Sequence, residues 1–204
     1  MKKFLSFIPT DTTNNSVHYF IQEGNTLLEN DIETHFPIMI LIRNNVVSGE
    51  IIAVNIIVTD NHKCVEANRQ LFIEELEKAK NDIGFDYELT EIHTSMEEIS
   101  INQLTLFVKI IQKIYENDEL YVDITYGTKP TPTIITMVLN HYDLYNNYSL
   151  YKTPIKAIIY GTMDYAVYTT ETYNLIWLLH KNSVIQMPMI RHVDPLFIKN
   201  VISR

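Results

Sequence analysis

The 204-residue chain is 46% hydrophobic with a formal net charge of −9. It can bury one substantial core, and this charge argues against broad binding to duplex DNA or long RNA, for which counterion release demands a basic face. Its single cysteine, Cys64, excludes an internal disulfide, and no apolar run reaches the ~18 residues of a membrane span.

Lys3 to Ile8 predicts a short apolar strand, which Pro9 ends at a polar loop of Thr10, Asp11, Thr12 and Thr13. The apolar stretch after Met1-Lys2-Lys3 is broken there before it reaches signal-peptide length, so the expectation is a cytoplasmic protein. His35 to Val46 is apolar enough for a buried helix, with Pro37 near its start. Ile51 to Val58 is a near-continuous β-branched run of the kind found in a parallel sheet covered on both faces. Val65 to Lys80 predicts a helix with Leu71, Phe72, Leu76 and Ala79 near one face and Gly84 as its stop signal.

Tyr87 to Ile92 alternates as a strand, and Leu104, Phe107, Val108, Ile111 and Ile114 place an amphipathic helix over Asn102 to Tyr115. Leu120 to Ile124 reads as the next strand and Thr133 to Tyr142 as an apolar helix. Ile155 to Tyr160 is a further strand with Ala166 to Thr169 as its hairpin partner, followed by helices at Thr170 to His180 and Val193 to Ser203. This alternation gives an α/β class: a Rossmann-like, mostly parallel central sheet flanked by helices, with its first strand central and a C-terminal hairpin and helices. No low-complexity linker or repeat divides the chain, which reads as one domain over 1–182 and a helical extension over 183–204.

Tyr121-Val122-Asp123-Ile124-Thr125-Tyr126-Gly127-Thr128-Lys129-Pro130 joins a buried-strand pattern to a small-residue loop with one cation. Such a loop at the carboxyl end of a strand suits a phosphate, with the following helix N-terminus offering N–H groups and partial positive charge. Lys129 can approach a phosphate while Gly127 leaves room for it, although any glycine turn can carry a solvated lysine. Thr125 and Thr128 can donate hydroxyls to a ligand or bond their own backbone. Asp123, an anion that would repel a phosphodiester, is expected to orient the loop by accepting backbone N–H bonds. Tyr126, Tyr142, Tyr145, Tyr148 and Tyr160 can stack adenines or pack the core. The seven histidines never form an i, i+4 pair and Cys64 has no companion thiol, so no metal site is expected. No P-loop, no Gly-x-Ser-x-Gly elbow and no Gly-x-Gly-x-x-Gly series occurs, and no cofactor is expected.

The run Asp123-Ile124-Thr125, Gly127, Thr128, Lys129 and Pro130 resembles the second signature of the CRISPR-associated Rossmann-fold (CARF) domains, which bind cyclic oligoadenylates. Ile155 to Gly161, Thr169 with Thr170, and Leu175 to Leu179 look like the family's last strand, hairpin and closing helix. Phe4 to Thr13 is similar to its first signature, while Asn14 to Asn45 has no clear counterpart.

The resemblance implies a sensor that dimerises about a two-fold axis and cradles a cyclic tetra- or hexa-adenylate. Its implied ligand contacts are Thr10, Thr12, Thr13, Thr125, Tyr126, Gly127, Thr128, Lys129 and Pro130. Such a sensor controls an effector, which this chain does not recognisably contain. The rival reading is a stand-alone, metal-independent ring nuclease, in which a ribose 2′-hydroxyl attacks its own phosphate while Lys129 stabilises charge and Thr12 or Thr128 positions the phosphate. A ligand-responsive transcription regulator is the third. Against it stand the acidic balance and a tail whose strong cations are Arg191, Lys199 and Arg204.

Overall fold

The computed structural model describes residues 1–13, 16–23, 32–97, 99–128, 130–145, 155–161 and 166–168. In chain order the elements are β1 (Lys2–Phe7), β2 (Val17–Glu23), β3 (Ile32–Thr34), α1 (Ile38–Asn45), β4 (Ile51–Thr59) and α2 (Val65–Ile83). They continue with β5 (Asp86–Thr94), α3 (Ser100–Ile111), β6 (Glu119–Asp123), α4 (Pro130–Tyr145), β7 (Ile155–Gly161) and β8 (Ala166–Tyr168).

Among the described residues the strands form one sheet in the order β3-β2-β8-β7-β6-β1-β4-β5. Its centre, β5-β4-β1-β6-β7, is parallel throughout, as expected of a Rossmann-like α/β fold. From β1 the chain winds outward through β4 and β5, then returns to the other side of β1 for β6 and β7. The sheet order therefore reverses between β1 and β6, whose register pairs Phe4 with Tyr121 and Leu5 with Val122.

Residue alternation along β1 sends successive side chains to opposite faces. Phe4 joins a core with Phe36, Ile38 to Ile42, Val54, Ile56, Phe72 and Leu76, the face covered by α1 and α2. Leu5 and Phe7 join Ile57, Leu106, Ile110, Val122, Ile135, Val138 and Leu139 under α3 and α4. Burial on both faces explains why β4 carries an unbroken apolar run apart from Asn55.

The predicted α2 ends as expected: Gly84 takes φ +85° and donates its N–H to the Lys80 carbonyl at 2.7 Å. The predicted hairpin is present in β8, which pairs antiparallel with β7 through Tyr160 and Tyr168. Apart from that hairpin, strict strand–helix alternation fails where β2 and β3 are inserted between β1 and α1. Within β2, Tyr19 is buried and its neighbour His18 exposed. Beyond β7, β2 lies parallel to β8 and β3 antiparallel to β2. The helices expected at Thr170 to His180 and Val193 to Ser203, and the extension over 183–204, lie outside the described residues.

Candidate functional site

At the carboxyl end of β6, Asp123 is 1% exposed and joins three segments. Its Oδ2 accepts the Ser6 hydroxyl of β1 at 3.1 Å and the Ile38 N–H at 3.2 Å, and its Oδ1 accepts the Thr125 N–H at 2.8 Å. Pro37 provides no side-chain cap for α1, so a carboxylate 85 residues away in sequence satisfies the first helical donor. Burial raises the Asp123 pKa above the ordinary carboxylate value, against the opposing pull of bonds from Thr125, Ser6 and Ile38. Asp123 therefore organises the loop, as its chemistry suggested.

The loop residues then divide by where their polar atoms go. Thr125 turns inward: its hydroxyl bonds Asp123, and its Oγ1 accepts the Gly161 N–H at 2.8 Å. Tyr126 also faces protein. Its hydroxyl donates to the His35 carbonyl at 2.8 Å, and its ring lies edge-on to Phe36 at 6.4 Å. Burial, reinforced by Tyr19, pushes the Tyr126 pKa far above the ordinary phenol value. A ring so engaged is a wall and not a free stacking platform.

Gly127 and Thr128 form the outward part. Gly127 is exposed with φ +111°, and a Cβ there would lie 2.8 Å from Thr131 Cγ2 and 2.9 Å from Thr131 Cβ. Thr128 closes the loop onto α4: its carbonyl accepts the Thr131 N–H at 2.9 Å, and the two hydroxyls meet at 3.1 Å. Pro130 opens α4, three residues earlier than the sequence pattern indicated. Pro130 and Pro132 have no N–H, and that of Thr131 is engaged by the Thr128 carbonyl. Backbone donors are thus scarcer at this helix start than the sequence reading anticipated. Lys129 lies outside the described residues.

Beside Gly127 and Thr128 runs a cleft with Phe7, Leu106 and Ile134 as apolar lining and Thr59, Thr94, Ser95, Asn102 and Gln103 as polar groups, together with Glu97. Its volume is about 30 Å³, far below the roughly 300–1,000 Å³ of a typical ligand pocket. Nothing in the motif pointed to its β4, β5 and α3 contributions, because they come from three distant stretches of chain.

The threonines after β1 are placed differently. Thr13 donates its hydroxyl to Asn68 Oδ1 at 2.5 Å, and Asn68 Nδ2 donates to the Pro9 and Asp11 carbonyls, both at 2.8 Å. Exposed Thr12 has its Oγ1 3.6 Å from Cys64 Sγ, and Thr10 sits half-buried in a bend. This loop is drawn to α2. Asn68, only 3% exposed, escaped the sequence reading, yet it continues the buried Phe72-Leu76-Ala79 stripe, where a polar residue is itself a signal.

Of the other tyrosines, Tyr142 is buried, Tyr160 is 40% exposed on β7, and Tyr148 lies outside the described residues. Among the described residues no group of three or more His, Cys, Asp or Glu side chains could hold a metal ion. No helix among them is long and apolar enough to cross a membrane. No family model matches this chain, and no curated protein matches it.

Proposed function

We propose that this protein is a CARF-type sensor that binds a cyclic oligoadenylate, tetra- or hexa-adenylate, across a two-fold dimer and so controls an effector in antiviral defence. The observation that carries the reading is the position of the Asp123–Pro130 loop. It leaves β6 where the sheet order reverses beside β1, the crevice in which open α/β sheets bind ligands. Gly127 and Thr128 are its outward residues, and Lys129 follows them in the sequence.

The cleft beside the loop, about 30 Å³, is too small to enclose a nucleotide, so the reading calls on a second copy of the loop to complete the site. A two-fold axis doubles each loop donor and each Lys129 against a ring carrying several phosphates. A larger groove of about 320 Å³ lies among β3, α1 and α2, where Glu33, Glu74 and Glu75 outnumber Arg43 and Lys78 in the lining, a balance less suited to a polyanion.

Calorimetry with cyclic tetra-adenylate and cyclic hexa-adenylate should give one ligand per two chains, and sedimentation should give a dimer. K129A removes two charge-assisted contacts from the shared site, so affinity should fall by about 3–6 kcal/mol if the two add. Monomers that each bind one ligand, or a K129A variant of undiminished affinity, would refute the reading. The ligand should be recovered intact by chromatography. Linear products ending in a 2′,3′-cyclic phosphate would make the protein a ring nuclease instead.

A further inference from the structure

The segment from Thr34 to Ile38 is held from two sides. On one side Asp123 and Tyr126 reach it from the β6 loop, at the Ile38 N–H and the His35 carbonyl. On the other side is Glu75 of α2, whose Oε1 accepts the His35 N–H at 2.9 Å and contacts His35 Nδ1, and whose Oε2 accepts the Thr34 hydroxyl. The Glu75 and His35 side chains are 18% and 16% exposed, so these bonds face limited competition from water. Between the two sides Phe36 is fully buried, edge-on to Phe72 at 5.1 Å and to Tyr126 at 6.4 Å.

We infer that Glu75 is a positioning residue for the β6 loop, acting through the backbone of His35. The His35 N–H, which Glu75 fixes, and the Phe36 N–H, which Thr34 Oγ1 accepts at 3.0 Å, belong to successive peptide units. The His35 carbonyl belongs to that second peptide unit, so its direction follows from the Glu75 and Thr34 bonds. That carbonyl is the acceptor for Tyr126, and Tyr126 is the residue immediately before Gly127. The carboxylate therefore sets the approach of Gly127 and Thr128 without touching them. Its importance for a ligand rests on the reading of that loop as the binding site.

Hydrogen exchange read by mass spectrometry tests the relay without any ligand. E75A should speed exchange of the segment 124–128 by about tenfold while that of β4 stays within about twofold of the parent, because only a local opening is eased. Y126F should speed the same segment, and the double variant E75A/Y126F should exceed the faster single variant by less than about twofold, as expected for two links of one chain. Should E75A fail to fold, E75Q carries the comparison, with an acceleration of about threefold or more at 124–128 expected. If whichever variant folds leaves 124–128 unchanged, or speeds β4 by the same factor, Glu75 is a structural residue of α2 and the inference fails. If the relay responds but the parent protein binds neither cyclic tetra- nor hexa-adenylate, the positioning role stands and the ligand reading falls.

Discussion

The loop after β1 and the loop after β6 leave neighbouring parallel strands at the same end of the sheet, yet they commit their polar groups in opposite directions. Asn68 draws the first toward α2, using the Thr13 hydroxyl and the Pro9 and Asp11 carbonyls. Asp123 fixes the base of the second, after which Gly127 and Thr128 pass over to α4 and the cleft beside α3. Strand adjacency decides where a loop starts. A buried polar anchor decides which way it turns, and therefore which hydroxyls remain near a ligand.

The largest way to break this contrast is to remove the stronger anchor. D123A would strand the Ser6 hydroxyl and the Ile38 and Thr125 N–H groups in a buried site, for a loss of about 3–5 kcal/mol in urea unfolding. D123N keeps the shape and removes the titration. Because burial raises the Asp123 pKa above 3.8, the folded protein holds this proton more tightly than the unfolded chain. Its contribution is fully present below the unfolded value and is lost as pH rises through the folded one. The stability of the parent relative to D123N should therefore decline with rising pH across that window; a difference that stays flat or climbs would show that the donated bonds outweigh desolvation.

Next in size is G127A. A methyl at φ +111° meets Thr131 Cγ2 at 2.8 Å, so the variant should lose about 3 kcal/mol, the upper end for a strained backbone. N68A should cost less, about 2 kcal/mol, because water can reach part of the loop it releases. Hydrogen exchange separates the two: N68A should loosen residues 9–13 and spare 124–128, and G127A should do the reverse. Loosening of both loops by either variant would mean that they form one cooperative unit.

These anchors also mark what the sequence could reveal. The strands β1, β4, β6 and β7 were legible because burial on both faces demands nearly continuous apolar runs, and α2 was legible because Gly84 and the Phe72-Leu76-Ala79 stripe obey local rules. Asp123 was readable as a loop organiser from its charge and place, but its bond to the Ile38 N–H was not. That bond depends on α1 packing over the sheet end, which no local pattern encodes. The inward turns of Thr125 and Tyr126 were hidden for the same reason, since Gly161 and His35 are partners supplied by the tertiary fold. Asn68 differs: its signal was present as a polar residue on an apolar stripe, at a helical spacing already read.

The smallest expected effect gives the sharpest discrimination between the two loops. Thr12 is exposed and its Oγ1 approaches Cys64 Sγ at 3.6 Å, so T12V should change stability by less than about 0.5 kcal/mol. T128V loses the hydroxyl pair with Thr131 and should cost slightly more, about 0.5–1 kcal/mol. The two should diverge in cyclic oligoadenylate affinity measured by calorimetry. On the proposed function, T128V removes a hydroxyl beside Gly127 in each half of the shared site, so affinity should fall by about tenfold or more, whereas T12V should stay within about twofold. The opposite ranking would place the ligand over the β1 loop and α2, and Asn68 and Cys64 would then border the site in place of Thr131 and Ile134.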